Sequence, residues 1–377
     1  MNVIVLSSGM PSKRYPLNGI FAYDQAKALK MMGVDVFFFS IDVRSIRRRR
    51  KWFLSTGERD GVIWYNYSLP LSPLNGRLVL FFEKLLVRKL YQRLMKKSFK
   101  ADLTHAHFTD MGVLANELKR KYGIPYVITE HSSTMNKTII PDALKKTAEI
   151  SYRNASRVLA VSSLLANSIK NKTGIEAAVV SNIIDTSNFK LKETKEHQGI
   201  RLVTTALLSD RKRVHLLLQA IDELREQYQD ITLDVIGDGE EKEKLQQYVG
   251  DHSLENIITF HGMLSREEAG RIYQQSDCFV LPSALETFGV VYVEAMAAGL
   301  PVIATRCGGP EDFVNEDNGV LVDVDNMGQL KDAIVYMYNH YMEYNNAIIK
   351  ENASEMFSPG VISQQIMSVY KEVLEKQ

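Results

Sequence analysis

The chain has 377 residues, more than the roughly 250 to 300 at which a single hydrophobic core usually stops growing, so we expect two domains. Hydrophobic residues make up 45% and charged residues 24%, which excludes a disordered, collagen-like or coiled-coil chain. The formal net charge is only +1, but residues 1–100 hold 19 Lys and Arg against 6 Asp and Glu, which predicts an anionic partner for this segment.

The first residues run from Met1 straight into a short apolar stretch, residues 3–6, which predicts a strand and not a signal peptide. No stretch approaches the ~20 consecutive apolar residues of a membrane span. Two cysteines, Cys278 and Cys307, are too few for a disulfide framework or a Cys-rich zinc site. We therefore expect a cytoplasmic protein.

Short β-rich apolar runs alternate with helical periodicity through the first half of the chain. A βαβ opening is predicted from a strand at 3–6, a helix at 19–32 and a strand at 34–39. The same rhythm predicts further strands at 103–106, 126–129, 158–161 and 178–180. This half is predicted to be a parallel sheet covered by helices.

A polar stretch, residues 190–198, is the best candidate for a linker, and a second α/β half follows it. Its strands are predicted at 202–206, 232–236, 257–260, 278–281 and 302–304, and one long helix is predicted at 359–375. The pattern indicates two Rossmann-like domains, 1–190 and 191–358, with a terminal helical segment at 359–377.

The densest chemical signal is the segment 284–305, just beyond the carboxyl end of the predicted strand 278–281. Open α/β sheets bind ligands at this edge. Thr287, Phe288 and Gly289 open a helix whose amino end suits a phosphate. Glu286 and Glu294 can bind two parts of one elongated ligand, although a helix cap and a solvated carboxylate would produce the same spacing.

Other short motifs follow predicted strands in a regular order. They are His105-Ala-His107, Thr129-Glu130-His131, Ala160-Val-Ser162, residues 181–185, Arg211-Lys212-Arg213, residues 235–239, Phe260-His-Gly262 and residues 279–283. Together with the two glutamates, this series resembles the retaining glycosyltransferases of family 4, also called glycosyl transferases group 1, over nearly the whole chain.

The resemblance implies the α/β GT-B fold, in which two Rossmann-like domains face each other across a cleft and a terminal helix returns to the first domain. The second domain would hold a nucleotide-diphosphate sugar and the first the acceptor. The catalytic residues implied are His107, Lys212 and Glu286. The donor-binding residues implied are Gly19, Lys212, Met263, Glu286, Phe288, Gly289, Val290 and Glu294, and His131 is assigned to the acceptor side.

One position departs from the family pattern. The frequent Gly-Arg-Leu string, whose arginine contacts phosphate, is replaced here by Ala206-Leu207-Leu208. Arg211 or Arg213 could compensate for Leu207, or the two could belong to a solvated run of charges.

The family mechanism is a front-face displacement without an enzyme nucleophile, and no suitable nucleophile is evident in the sequence. Neither a metal nor another cofactor is expected, because the Asp-x-Asp string, Asp323-Val-Asp325, lies outside the expected site. We interpret this string as part of a loop or a helix cap.

Two basic segments predict contact with an anionic membrane surface. One joins cations to two aromatic residues and comprises Arg47, Arg48, Arg49, Arg50, Lys51, Trp52 and Phe53. The other, residues 78–99, has the pattern of a basic amphipathic helix, but a surface helix packed on its own sheet has the same pattern. Nucleic acid is not expected, because no known nucleic-acid-binding motif occurs.

The predicted function is transfer of a hexose from a UDP- or GDP-linked donor to a hydroxyl of a glycan or lipid-linked acceptor, in cell-envelope polysaccharide synthesis. Two alternatives stay open: a nucleotide-sugar epimerase of the same fold, and a nucleotide-sugar-binding protein that has lost catalysis. A nicotinamide dehydrogenase is disfavoured, because Lys242 replaces the third glycine of the fingerprint that begins at Gly237.

Overall fold

The computed structural model describes residues 1–45, 51–72, 76–192 and 197–376. The chain divides into two compact units. The first consists of Met1–Ile183 together with Pro359–Gln377, and the second of Ile184–Ser358. The boundary after Ile183 comes earlier in the chain than the predicted boundary after residue 190.

The first unit contains an eight-stranded sheet. Its strands are β1 (Asn2–Ser7), β2 (Asp35–Ser45), β3 (Phe53–Arg59), β4 (Val62–Ser72), β5 (Leu103–His107), β6 (Tyr126–Glu130), β7 (Arg157–Ala160) and β8 (Ala178–Val179). The order is β3-β4-β2-β1-β5-β6-β7-β8, and every neighbouring pair is parallel except β3 and β4. The predicted parallel sheet is confirmed, with an antiparallel edge strand added.

The second unit contains a six-stranded sheet in which all neighbours are parallel. Its strands are β9 (Ile200–Thr205), β10 (Ile231–Ile236), β11 (Ile258–Gly262), β12 (Cys278–Leu281), β13 (Val302–Thr305) and β14 (Gly319–Val322). The order β11-β10-β9-β12-β13-β14 is that of a Rossmann fold, whose chain direction across the sheet reverses between β9 and β12. Ligands of such sheets bind beyond the carboxyl ends of these two strands.

Helices cover both sheets. The first unit contains α1 (Ile20–Met31), α2 (Gly76–Met95), α3 (Thr109–Tyr122), α4 (Asp142–Arg153) and α5 (Ser163–Thr173). The second contains α6 (Val214–Leu224), α7 (Lys242–Asp251), α8 (Arg266–Gln275), α9 (Val290–Ala297), α10 (Met327–His340) and α11 (Asn346–Phe357). The last helix, α12 (Pro359–Glu375), belongs to the first unit. The bounds of α12 are those predicted from the sequence.

The terminal helix α12 helps to close the core of the first unit. Ile362, Ile366, Tyr370 and Val373 recur at helical spacing and are buried in one cluster with side chains of α1, β1 and β2. Since α12 follows the whole second unit in the chain, the first core is complete only after nearly all residues are present.

The sequence analysis missed the β3–β4 hairpin at the edge of the first sheet. The two-residue turn Asp60-Gly61 joins the strands, and both residues have positive φ, at 53° and 73°. This combination is the strongest short-range sequence signal for a hairpin.

The polar stretch predicted as a linker is anchored at both described ends. The Lys192 side chain is only 6% exposed, and its Nζ lies 3.0 Å from Asp277 Oδ1. The other carboxylate oxygen of Asp277 accepts from the Arg201 backbone N–H at 2.8 Å and lies 3.0 Å from His197 Nε2. One buried carboxylate thus ties the entry of the second unit to β9 and β12.

We expect Asp277→Asn to lower the free energy of unfolding by about 3 kcal/mol or more, because it leaves the buried Lys192 ammonium without a compensating charge. Urea unfolding followed by circular dichroism measures the change. The control is Lys331→Met, which breaks the more exposed Lys331–Glu223 pair at 2.6 Å and should cost less than about 1 kcal/mol. Equal losses in the two variants would contradict this interpretation.

Candidate active site

Two loops at the carboxyl edge of the second sheet are held together by their backbones. The N–H of Glu286 donates to Cys307 O, and the N–H of Gly309 donates to Glu286 O, both at 3.1 Å. A Cβ at position 309 would lie 2.2 Å from Phe288 O, so glycine is required there. The loop that follows β12 is therefore held in one position by the loop that follows β13.

Glu286 directs its carboxylate at Lys212. Lys212 ends a short 3-10 turn, Asp210–Lys212, which follows β9, and its Nζ is hydrogen-bonded to Glu286 Oε1. Both side chains are largely buried. The structure thus brings together two predicted catalytic residues, one from each side of the topological switch point. A buried ammonium here can neutralise an anion that approaches the sheet edge.

Helix α9 begins beside this pair. Gly289 precedes its first turn with a φ of 96°, and the Tyr292 N–H in that turn donates to Gly289 O at 3.1 Å. The amides ahead of Tyr292 lie at the start of the helix, where the same helix supplies no carbonyl to accept from them. Phe288 packs its ring against Phe313 and Phe357 in the core, so it can offer a ligand only its backbone. This arrangement fits the prediction that Phe288, Gly289 and Val290 act through backbone amides.

Glu294, the second predicted glutamate, lies inside α9 and is largely buried. Its Oε1 lies 2.8 Å from Arg266 Nε, at the start of α8. Met263, in the loop before α8, is exposed. The sequence analysis missed Arg266, because a single arginine at the start of a helix carries no signal of its own.

The two arginines that could compensate for Leu207 differ in the contacts that hold them. Leu207 itself is 60% exposed. Arg213 is bound to two carboxylates, with its Nε 2.8 Å from Asp325 Oδ1 and its Nη1 2.6 Å from Asp210 Oδ2. Arg211 is anchored through its backbone, because its carbonyl accepts from the Ala284 N–H at 2.8 Å. The Arg213 side chain is thus already committed to neighbouring acids.

Both aspartates of the Asp-x-Asp string contact neighbouring side chains. Asp325 pairs with Arg213, and Asp323 accepts a hydrogen bond from Gln329 Nε2 at 3.0 Å. The cap of α10 is the neighbouring Asn326, which accepts from the Gln329 N–H, so the interpretation as a capping segment is right but the capping residue differs. In the part of the chain that the structure describes, no group of three or more His, Cys, Asp or Glu side chains is arranged to hold a metal.

Three histidines gather at the carboxyl edge of the first sheet. His107 Nδ1 and His131 Nε2 are 2.9 Å apart, and the ring planes differ by only 18°. The ring of His105 stacks on that of His107, with centroids 4.8 Å apart. His105 is fixed in turn by Thr129 Oγ1 at 2.7 Å and by the hydroxyl of Tyr370, from α12, at 2.6 Å.

All three imidazoles are held neutral by burial. Burial lowers the pKa of His105 to about 3 and that of His131 to about 4, and it lowers the pKa of His107 well below its usual range. For His131, a smaller contribution from the Asn182 side chain opposes the shift. These side chains can therefore accept or donate hydrogen bonds near neutral pH without carrying charge.

The loop that carries His131 is fixed by Glu130. One oxygen of this fully buried carboxylate accepts from the backbone N–H groups of His131 and Ser132, at 2.9 and 2.8 Å. The other accepts from the hydroxyls of Thr109 and Tyr152, at 2.5 and 2.7 Å. Four donors thus compensate the buried charge. Glu130 was quoted as part of a motif, but its positioning role could not be derived from the sequence.

Gly19 lies at the same edge of the first sheet and precedes α1 with a φ of 71°. A Cβ at this position would lie 2.2 Å from Gly9 O. The predicted glycine loop is therefore a close contact between two backbone segments, where a side chain has no room.

The predicted membrane contacts fall partly outside the described residues, where Arg47, Arg48, Arg49 and Arg50 lie. Lys51 is exposed, Trp52 is half-buried, and Phe53 is exposed at the start of β3. In α2, the side chains of Leu86, Val87, Leu90, Tyr91 and Leu94 are buried, whereas those of Leu78, Phe81 and Phe82 are exposed. The buried side chains bear out a surface helix packed on its own sheet, and contact of α2 with a membrane stays a prediction. Among the described residues, no helix is long and apolar enough to cross a membrane.

Comparisons with known proteins match both halves of the chain. The model for "Glycosyltransferase Family 4" matches residues 19–188, and that for "Glycosyl transferases group 1" matches residues 185–355. The putative teichuronic acid biosynthesis glycosyltransferase TuaC of Bacillus subtilis is 27% identical over 400 aligned positions, covering 99% of each chain. The alpha-monoglucosyldiacylglycerol synthase of Acholeplasma laidlawii is 25% identical, over 82% of this chain and 83% of that one.

Among solved structures, the chain is similar to HepE of Anabaena in complex with UDP-glucose. The TM-score is 0.75 with 21% sequence identity, and the match covers 99% of this chain and all of that one. At 21% identity this similarity shows only that the two proteins share a fold, which is GT-B.

We expect Gly19→Ala to destabilise the first unit more than Gly123→Ala does. Both glycines have a left-handed φ, 71° and 73°, and an alanine there costs about 1 kcal/mol. Only Gly19 also has a backbone oxygen in the place of the new Cβ, whereas Gly123 has open space. The melting temperature of Gly19→Ala should be lower by several degrees than that of the control, and equal values would contradict the close contact.

Proposed function

This chain belongs to the glycosyl transferases group 1 and family 4, enzymes of the GT-B fold that transfer sugar from nucleotide sugars, and on that premise we propose a retaining, metal-independent hexosyltransferase. Its donor is a UDP- or GDP-linked hexose. Its acceptor is a hydroxyl of a glycan or of a lipid-linked sugar, and its role is in cell-envelope polysaccharide synthesis.

The observation that carries this proposal is the pair formed by Lys212 and Glu286 beside the amino end of α9. A nucleotide-diphosphate sugar has a dianionic diphosphate next to a sugar ring that carries several hydroxyls. Lys212 and the amides of Gly289 and Val290 offer positive charge and donors to the dianion. Glu286 offers a carboxylate to the hydroxyls of the sugar, and Glu294, deeper in the same helix, suits a ribose.

The proposed reaction is a front-face displacement. The bond between the anomeric carbon and the diphosphate oxygen breaks, and the diphosphate leaves with the electron pair. The acceptor oxygen then bonds to the same face of the anomeric carbon, and its proton passes to an oxygen of the leaving phosphate. Lys212 stabilises charge that grows in the transition state, which is where binding energy accelerates a reaction.

The choice of substrates draws support from proteins that this chain resembles. The names of TuaC and of the Acholeplasma synthase refer to teichuronic acid and to a glucosylated diacylglycerol, and HepE was solved with UDP-glucose. Extended to this chain, these names favour UDP-glucose as the first donor to test and a glycan or lipid-linked acceptor.

Contact with an anionic membrane surface forms part of the proposal. The exposed half of α2 presents Leu78, Phe81 and Phe82 together with the exposed Arg77 and the half-buried Lys84. Aromatic side chains that enter the interface and cations that meet lipid headgroups are the two signals that stable peripheral binding needs. An acceptor carried by a lipid would be met at this surface, on the cytoplasmic side.

One observation favours a different function. Leu207 is exposed at the position where the family pattern named in the sequence analysis has a phosphate-binding arginine, and Arg213 is committed to Asp210 and Asp325. A binding protein without catalysis would tolerate this loss. An epimerase would convert the donor without any acceptor, and the mass of the product separates it from a transferase.

We expect the purified chain to be stabilised by a nucleotide sugar in EDTA and to release its nucleoside diphosphate slowly. Lys212→Met should lower kcat by about 10² to 10³, because it removes a group that stabilises charge in the transition state. Lys244→Met, which removes an exposed lysine of α7, should leave kcat unchanged. The anomeric configuration of the product, measured by NMR, should be that of the donor.

Three results would contradict the proposal. An inverted product would exclude front-face displacement, and dependence on a divalent ion would exclude the metal-independent reaction. If no nucleotide sugar shifted the melting temperature, the non-catalytic alternative would be favoured.

We expect the double variant Phe81→Ser, Phe82→Ser to lose binding to vesicles that contain anionic lipid, because each exposed ring contributes about 1.5 to 3 kcal/mol when fully buried. Cosedimentation at low salt measures the loss. Met342→Ser, which removes an exposed apolar side chain in the second unit, is the control and should bind like the unchanged chain. Equal binding by all three proteins would show that α2 is not the contact.

A further inference from the structure

The lysine of the second unit's site is already neutralised in the free protein. Lys212 Nζ is hydrogen-bonded to Glu286 Oε1, and the two side chains are only 12% and 9% exposed. Because the pair is largely withdrawn from water, its charges are screened much less than charges at the surface. An anion that approaches the ammonium therefore also meets the carboxylate beside it.

The backbones that carry this pair are bonded directly to each other. The N–H of Ala284 donates to Arg211 O at 2.8 Å, and the hydroxyl of Ser283 donates to the same oxygen at 3.4 Å. Lys212 is the residue after Arg211, and Glu286 follows Ala284 by two residues. The backbone thus keeps the two charges together, so Lys212 turns to a new partner by rotation of its side chain.

The rest of the turn supplies no excess of positive charge. Two carboxylates bind Arg213, with oxygens of Asp210 and Asp325 at 2.6 and 2.8 Å from the guanidinium. Taken together, the segment 210–213 and the contacting Glu286 and Asp325 hold three cations and three carboxylates. A site of this composition does not attract a diphosphate through its net charge, so the distribution of charge within the site decides which ligand it favours.

A nucleotide-diphosphate sugar and the nucleoside diphosphate left after transfer differ next to this pair. When the sugar leaves, the oxygen to which it was bonded becomes part of a terminal phosphate. The second pKa of such a phosphate is about 6, so the spent nucleotide carries about one more negative charge at neutral pH. It has also lost the sugar hydroxyls, which can donate hydrogen bonds to a carboxylate.

We propose that Glu286 makes the site select the sugar-loaded donor against the spent nucleoside diphosphate, and that it thereby favours release of this product. The identity of both ligands rests on the proposed function. With the loaded donor, sugar hydroxyls donate to Glu286, and Lys212 is free to turn to the diphosphate. With the spent nucleotide, the Glu286 carboxylate has no such donors and repels the terminal phosphate. The carboxylate thus discriminates by repulsion as well as by attraction.

The first test compares Glu286→Gln with the unchanged chain by isothermal titration calorimetry in EDTA, with UDP and UDP-glucose as the probes. The amide keeps the shape of the side chain and can accept from a hydroxyl, but it carries no charge. We expect the Kd of UDP to fall about tenfold, the effect of removing one nearby like charge, and the Kd of UDP-glucose not to fall. An unchanged or higher Kd for UDP would overturn the proposal.

Glu223→Gln is the matched control, because it makes the same chemical change in the same unit. Glu223 is 54% exposed on α6 and pairs with Lys331 at 2.6 Å. Both Kd values of this variant should equal those of the unchanged chain. If it bound UDP as tightly as Glu286→Gln does, the net charge of the chain would be responsible, and the specific role of Glu286 would be refuted.

The second test uses the unchanged chain, so it does not depend on the folding of a variant. The methyl ester of UDP on its terminal phosphate lacks the extra charge of UDP and also lacks the sugar. This ester should bind several times more tightly than UDP, because Glu286 has less charge to repel, and less tightly than UDP-glucose, which adds hydroxyls. Equal or weaker binding of the ester than of UDP would overturn the proposal.

Inorganic pyrophosphate separates this inference from the choice of donor. If no uridine compound binds, the donor named in the proposed function is wrong, but pyrophosphate needs neither a base nor a sugar. It should bind to Glu286→Gln more tightly than to the unchanged chain, because Lys212 is then no longer held by a carboxylate. Equal Kd values, or no binding by the variant, would refute the selection by Glu286.

Discussion

The close approach of two loop backbones is the constraint on which the site of the second unit depends. Glu286 is hydrogen-bonded on both sides to the segment that follows β13, and Gly309 allows the contact because a side chain there would meet Phe288 O. The hydroxyl of Thr305 reinforces it by donating to Ser283 O. The Glu286 carboxylate and the first turn of α9 consequently keep a fixed position. Lys212, which follows β9 on the other side of the switch point, is hydrogen-bonded to this fixed carboxylate.

The two units stabilise their buried polar side chains in different ways. The second uses charge, in the pairs Lys212–Glu286 and Arg266–Glu294, which suits a site proposed to receive a diphosphate and a ribose. In the first, burial keeps the three histidines uncharged, and four neutral hydrogen-bond donors compensate the buried Glu130 carboxylate. Neutral hydrogen bonds suit sugar hydroxyls, which carry direction but no charge.

The predictions from the sequence succeeded for the buried strands and for α12, and they failed for an edge hairpin and for the end of the first unit. Apolar runs bounded by helical periodicity marked the buried strands of both sheets, and the stripe of α12 gave its bounds. The β3–β4 hairpin was missed although the Asp60-Gly61 turn was visible, because an edge hairpin lacks the continuous apolar runs of a buried strand. The end of the first unit was placed too late, since Lys192 looks like a linker residue until the buried Asp277, far along the chain, is found beside it.

The sequence by itself determined the family, the two Rossmann-like domains and the residue types that a nucleotide-sugar site requires, because strand-end motifs keep their spacing along the chain whatever they touch. Only the tertiary structure decided which of these residues meet. It paired Glu294 with Arg266, committed Arg213 to two carboxylates and joined His107 to His131 through one hydrogen bond. The physical reason is that partners distant in the chain come together only when parallel strands align their carboxyl ends at one edge of a sheet.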